Sequence, residues 1–302
     1  MKKVVAYVQG GTGNQLFILF AGLSIASRNH AKLIVDTSLL GVANIRHHGG
    51  LKDFEIRING KLIDFKLRRV AKPIFVINAE RIAYKLLNFA PFTRRLLRQY
   101  RSRVTGYDPM IDRISPSIGI IGYFQSYKHI SKVDSDGRSI DITLKSPSLW
   151  FRETSDQIIK SGISVAIHMR RGDYLLNTQN LGLLTDEYFL SVLSGISESH
   201  KISKVFIFSD SLESARDLQA KILICPSEVI IPPDNQHPVE SLLLQRLCNF
   251  KIISNSTFSW WSAYLSAYPE NVFAPTPWYR NQDEPAFLIP DKWQRRNAIW
   301  SY

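Results

Sequence analysis

Short apolar runs recur along this chain, and each ends in a polar or glycine-rich cluster before a stretch of helical apolar spacing begins. That alternation restricts the chain to an α/β arrangement, because strands that alternate with helices form parallel sheets covered on both faces. Residues 4–8 read as the first strand, and 14–27 as a helix with Leu16, Leu19, Phe20 and Leu23 on one face. Residues 33–35 and 118–122 follow as short strands. In the second half, 163–169, 205–208, 251–253 and 271–274 are strands, and 205–208 is apolar on both faces, as a central parallel strand should be. Thr185 can cap a helix reaching about Ser197, with Asp186 and Glu187 in its favourable first turn. Pro238 and Glu240 open another that carries Leu242, Leu243 and Leu247, and 256–268 form the last. A length of 302 residues fits two domains, although one large α/β domain would also accommodate it. Residues 131–150 are rich in Ser, Asp and Pro, which places the boundary there and gives units 1–150 and 151–302.

Composition narrows the function classes. Hydrophobic residues make up 45% and charged residues 21%, so the chain is globular. Its apolar runs fall far short of the roughly 20 residues that cross a bilayer. Met1-Lys2-Lys3 is a basic start, but the stretch after it soon turns polar and Gly-rich, a first strand and loop rather than a secretory signal. A cytoplasmic location is expected. Cys225 and Cys248 form no CxxC pair, which fits a reducing compartment and not a structural zinc. The histidines are scattered, and the doublet His47-His48 has no accompanying ligand spacing. Asp134-Ser135-Asp136 has the DxD form that holds a divalent cation in some transferases, but it sits in a linker with no strand before it. No metal is expected.

The formal net charge is +12, and residues 61–103 hold twelve Lys/Arg against Asp64 and Glu80. Such a segment can meet nucleic acid, an anionic membrane face or an anionic substrate, or be a solvated helical face. Its aromatic residues follow core spacing instead of interleaving with the basic ones, which argues against nucleic acid. A peripheral contact with an anionic inner-membrane surface is the expectation for Arg94, Arg95, Arg98 and Arg101.

Ligands of open parallel sheets bind beyond the carboxyl ends of the strands, and four polar clusters sit there. "QGGTGNQLF" (9–17) lets the backbone approach a ligand at Gly11 and Gly13, and Asn14 and Gln15 can each donate and accept, as sugar hydroxyls require. It lacks the Gly-Lys-Ser/Thr of a phosphate loop, and Leu16 breaks the dinucleotide pattern. "HMRRGDY" (168–174) ends a buried strand with two guanidiniums, whose forks suit a diphosphate. Strand alternation puts His168 and Arg170 on one face, and Arg171 leaves from the other or from the turn. Asp173 can orient an arginine or act as a base. In "FIFSD" (206–210), Ser209 and Asp210 can bind a base or ribose, or cap a helix. In "SNSTFSWWSAYL" (254–265), Asn255, Ser256, Thr257, Phe258 and Ser259 open a helix whose N–H groups and hydroxyls make a phosphate cradle. Phe258, Trp261, Leu265 and Tyr268 also have core spacing, and Trp260 could face either ligand or interior.

Together these motifs, in this order, resemble glycosyltransferase family 11, the α-1,2-fucosyltransferases. "GYFQSYK" (122–128) and "FSD" (208–210) are also similar, and the resemblance covers nearly the whole chain. Thr12 stands where Leu is common and Leu16 where Met is common. The resemblance implies a GT-B-like fold, two Rossmann-type domains with parallel sheets facing a cleft, the N-terminal one on the acceptor side and the C-terminal one holding GDP-fucose. It implies inverting transfer of L-fucose to the 2-hydroxyl of a galactose-type acceptor, a galactose-terminated oligosaccharide or lipid-linked glycan, as in surface-glycan or O-antigen synthesis, with no metal or other cofactor. Arg170 and Arg171 would neutralise the β-phosphate as GDP leaves, and Asn14 would lie near the donor. Asp173 and His168 are the candidate bases. A fucosyltransferase of another linkage, or a transferase using another nucleotide sugar, is the alternative reading.

Overall fold

The computed structural model describes residues 2–40, 50–68, 99–134, 139–223, 228–233 and 237–301, without the side chains of residues 173 and 176. Most of the basic segment 61–103, including Arg94, Arg95 and Arg98, lies outside the described residues. The chain forms two compact units, one of residues 1–140 with 285–288 and one of 141–284 with 289–302.

The first unit is built on strands β1 (Lys3–Tyr7), β2 (Lys32–Asp36), β5 (Lys66–Arg68), β6 (Gln99–Arg101) and β7 (Gly119–Ile121), in the order β5-β2-β1-β7-β6. All neighbours are parallel. Helix α1 (Thr12–Arg28) follows β1 and buries nearly every side of itself, from Gly13 to Ala26. Its closeness to the sheet depends on Gly22, where a Cβ would lie 2.9 Å from Leu33 Cδ1 and 3.0 Å from Ala6 Cβ. Strands β3 (Phe54–Ile58) and β4 (Lys61–Leu62) form a small antiparallel pair. The short helix α2 (Tyr127–Ile130) is capped by Ser126. Residues 285–288 return from the far end of the sequence: Tyr107 N donates to Ala286 O and Tyr127 N to Phe287 O, both at 3.0 Å. Gly106 makes room for them, since a Cβ there would meet Ala286 N at 2.4 Å.

The second unit begins within β8 (Ile140–Leu144) and contains α3 (Leu149–Lys160), β9 (Ile163–Met169), α4 (Asp186–Ser199), β10 (Ile202–Ser209), α5 (Leu212–Lys221), β11 (Glu228–Ile230), α6 (Pro238–Gln245), β12 (Phe250–Ile252), α7 (Thr257–Tyr264), β13 (Val272–Thr276) and β14 (Gln294–Asn297). Its sheet runs β11-β10-β9-β12-β13-β14, parallel throughout. Val165, Ile167, Val205 and Ile207 pack under α4 and α5, whereas Ala166, Phe206 and Phe208 pack on the other face with Ile158 and Leu244. The two-residue side-chain period of the strands produces this division.

The fold class is therefore α/β, with two Rossmann-type units of parallel strands as in a GT-B-like chain. The first unit ends ten residues before the expected boundary at 150. The reason is Ser148, whose N and Oγ donate to Glu240 on α6 at 2.7 and 2.8 Å, so α3 is fixed to the second unit. The helix expected over 256–268 stops at Tyr264.

Candidate active site

The second sheet reverses its winding between β9 and β12: the chain builds β10 and β11 on one side of β9, then crosses to build β12, β13 and β14 on the other. Ligands of such sheets bind at the carboxyl ends flanking the reversal. A pocket of about 260 Å³ opens at the carboxyl ends of β9 and β10, lined on its polar side by His168, Arg170, Ser209 and Asp210, with the Phe258 ring beside them. Its apolar wall includes Phe208, Ile231, Pro232, Pro233 and Pro238. A volume of this size takes part of a nucleotide sugar, and the mixture of apolar wall and a few polar groups is that of a small-molecule site.

His168 and Arg170 share a face, as strand alternation requires. The His168 ring is buried, its Nδ1 is 2.9 Å from Ser254 Oγ across the reversal, and it packs 5.4 Å from the Phe258 ring. Burial, reinforced by the Arg170 charge, pushes its pKa down to about 3. The imidazole is therefore neutral at physiological pH.

The two arginines go to different places. Arg170 Nη1 meets Asp210 Oδ2 at 2.9 Å, and its guanidinium lines the pocket. Arg171 is buried, and its Nη1 donates to Leu184 O at 2.9 Å and its Nη2 to Asp186 Oδ1 at 3.2 Å. The backbone at Arg171 (φ −123°, ψ −74°) breaks from the strand and turns the side chain toward α4. The sequence leads one to expect both arginines on the diphosphate, but in the structure the Arg171 fork is engaged by Leu184 O and Asp186.

Asp210 joins the pair. Its Oδ1 accepts from Arg171 N at 2.7 Å while its Oδ2 holds Arg170. It therefore orients the arginines, and the cap of α5 falls to Ser211, whose Oγ accepts from Ser214 N. Ser209 Oγ accepts from Ser211 N within the same turn. Gly172 permits this arrangement, because a Cβ there would lie 2.5 Å from Asp210 Oδ2. The side chain of Asp173 lies outside what is described, although its backbone falls in the 3-10 turn Gly172–Leu176 directly after the arginines.

Beyond β12, Asn255 is buried and its Nδ2 donates to Leu181 O at 2.8 Å. Ser256 Oγ caps α7 by accepting from Phe258 N, and Ser259 Oγ donates back to Ser254 O and Ser256 O. The Thr257 hydroxyl, in the first turn of α7, makes no hydrogen bond among the described residues. Trp260 is fully buried and stacks on Tyr264 at 4.7 Å, so it faces the interior.

In the first unit, Gln15 is buried and its Nε2 donates to Gly10 O at 2.9 Å, fixing the glycine-rich loop from within. Gly11 is the N-cap of α1 and Gly13 is buried in its first turn. Asn14 is half-buried beside them, and its Oδ1 accepts from Gln125 Nε2 at 2.9 Å. Asp134 is buried and accepts from Ser139 N, while Asp136 lies outside the described residues.

Three site residues escaped the sequence reading. Ser254 stands within its motif, but its pairing with His168 needs the strand order. Asp186 read as a helix-dipole residue, and its second partner, Arg171, is set by the fold. Gly172 carried the clearest signal, a glycine between two charged residues in a site motif.

The sequence model of glycosyl transferase family 11 matches residues 120–293, more than half of the chain. An α-1,2-colitosyltransferase of Escherichia coli is 29% identical over 98% of this chain and 99% of its own length. Two shorter matches are the O-antigen biosynthesis glycosyltransferase WbnK of E. coli, 26% identical over 45% of each chain, and a galactoside 2-α-L-fucosyltransferase of Caenorhabditis elegans, 28% identical over 50% of this chain and 43% of that one. Among solved structures, POFUT1 in complex with GDP-fucose shares the fold at a TM-score of 0.50, covering 90% of this chain and 97% of that one at 11% identity. With its motifs ordered on the carboxyl ends of two parallel sheets, the chain belongs to glycosyl transferase family 11.

Proposed function

We propose that the protein transfers L-fucose from GDP-fucose to the 2-hydroxyl of a galactose-type acceptor, with inversion, in the assembly of a surface glycan of the O-antigen kind. The observation that carries the reading is Arg170, a guanidinium held by Asp210 on the wall of a pocket at a sheet reversal. Charge builds on the β-phosphate as the glycosidic bond breaks, and a fixed guanidinium stabilises it more in the transition state than in the bound donor. Thr257 and the N-terminus of α7 add donors for phosphate oxygens. Asp173 is the proposed base for the acceptor hydroxyl, because it follows directly after the arginines; His168, buried against Ser254 and Phe258, is the second candidate. Transfer is proposed to need no metal, with Arg170 supplying the positive charge, so activity should survive excess EDTA. The basic segment is proposed to hold the enzyme at an anionic bilayer, which salt-dependent co-sedimentation with anionic but not neutral liposomes would test.

A second reading has specific support. One relative, matched over 99% of its length, is an α-1,2-colitosyltransferase, so a GDP-linked dideoxyhexose is the competing donor. One experiment separates them: GDP release from GDP-fucose, GDP-colitose and GDP-mannose with β-galactoside acceptors, and the linkage of the product by NMR. Turnover of GDP-fucose to an α-1,2-linked product supports the first reading. Preference for GDP-colitose by an order of magnitude in kcat/KM replaces it with the second.

A further inference from the structure

Each unit reverses its sheet order once, and in each a side-chain hydrogen bond bridges the two chain segments that flank the reversal. In the second unit it is His168 with Ser254. In the first it is Gln125 with Asn14, between the loop after β7 and the first turn of α1, which follows the neighbouring strand β1. The first reversal has a chemistry of its own.

The loop after β7, Gly122-Tyr123-Phe124-Gln125, is fixed more tightly than a connection requires. A Cβ on Gly122 would lie 2.8 Å from Ser102 Cβ and 2.9 Å from Phe124 Cζ. Phe124, a bulky residue, sits in the left-handed region at φ +51° with its ring buried and edge-on to His129 at 6.0 Å. Backbone bonds of 2.7 Å from Gln125 N to Thr105 O and from Ser126 N to Phe124 O hold it there. A bulky residue persists in this region only where its surroundings impose it, and such positions gather at ligand sites. The effect is to turn Phe124 inward, set Gln125 against Asn14 and leave Tyr123 outside. Tyr123 is 39% exposed and makes no hydrogen bond or ring contact among the described residues. Asn14 Nδ2 likewise donates to none of them.

We propose that this loop is the platform for the acceptor sugar: the Tyr123 ring stacks on the C–H face of a galactose-type ring while the Asn14 amide, which the family resemblance puts near the donor, binds a hydroxyl at the rim of the acceptor instead. A galactose ring with its axial 4-hydroxyl on one side leaves the opposite face as a patch of C–H groups. A rigid aromatic side chain covers such a patch at small entropic cost, and an amide can donate to and accept from the hydroxyls beside it. Tyr123 thus determines acceptor specificity and leaves the donor alone. The inference rests on the proposed function for the acceptor class, but not on which deoxyhexose is transferred.

The test uses methyl β-D-galactoside and whichever GDP-linked sugar the wild-type protein turns over, so a wrong donor assignment would show in the wild type and leave this test intact. Tyr123→Ala should raise the acceptor KM about tenfold, the loss of one stacking contact. The donor KM and GDP release without acceptor should stay at wild-type values, and Tyr123→Trp should restore the acceptor KM. In saturation-transfer NMR without donor, the ring C–H protons of the galactoside should receive signal from the wild type and lose it in Tyr123→Ala. An acceptor KM within twofold of wild type in Tyr123→Ala, a changed donor KM, or no saturation transfer to those protons in the wild type would each overturn the proposal.

Discussion

The adjacent arginines should fail in different ways when truncated. Arg171→Ala removes a buried fork, leaving Leu184 O without its 2.9 Å donor and Asp186 Oδ1 without its 3.2 Å partner. An orphaned buried carbonyl costs about 1–3 kcal/mol. Asp186 keeps Lys221 at 2.7 Å and is partly exposed, so its loss adds at most about 1 kcal/mol. Arg171 also packs its guanidinium 6.0 Å from the Phe189 ring, and the vacated volume adds to the cost. The sum is about 3 kcal/mol of stability, a large share of what a domain has. Arg170→Ala breaks the Asp210 pair, whose members are both about a quarter exposed, worth about 1 kcal/mol or less. Its loss should appear instead as a fall of roughly 10²–10³ in kcat. Urea denaturation at constant m, read beside kcat and donor KM well below the transition, separates the two. The refuting result is an Arg171→Ala protein with the wild-type midpoint but a hundredfold lower kcat, which would put that guanidinium on the donor.

Lys251 is buried in β12, bonded to Ser266 Oγ, and burial drives its pKa from 10.5 to about 7. Below pH 7 both folded and unfolded chains carry this proton and the fold bears the full cost. The unfolded chain binds more protons between pH 7 and 10.5, so this contribution to stability rises across that window. Lys251→Met should raise the urea midpoint at pH 6 and flatten the dependence; an unchanged slope would refute it. His168 is depressed to about 3, so its stabilisation is complete above an ordinary histidine's 6.5 and is lost as pH falls from there toward 3. The pH–rate profile of the wild type should accordingly show no limb near 6.5 that disappears in His168→Gln. Gly106→Ala should destabilise the first unit by about 3 kcal/mol, since its Cβ would strike the backbone of 285–286, and intact hydrogen-exchange protection at Tyr107 would show otherwise.

What could be read from the residues follows the reach of the forces involved. β9 runs over the residues expected of it because a buried strand is a continuous apolar run, and the charged pair that ends it is local too. The shared face of His168 and Arg170 follows from a two-residue period. Where Arg171 goes does not, because its partners, Leu184 O and Asp186, are brought to it by the packing of α4. Thr185 shows the same limit. It sits at the N-cap of α4 in extended conformation, yet its side chain caps nothing and its Oγ1 is buried without a partner. Its N donates instead to Ile299 O at 2.8 Å, a residue more than a hundred positions away. β14, with the sequence QRRN, carries no strand pattern and exists because β13 offers it an edge. The two arginines read as one feature because the chain writes them side by side. A β-strand sends neighbours to opposite faces, and at Arg171 the backbone also turns away, so adjacency in sequence is here the reason for separation in space. At Tyr123 and Phe124 a left-handed backbone after the strand does the same work, one side chain turned out and one in, which makes such neighbouring pairs at strand ends the places where a binding group and its structural support are encoded together.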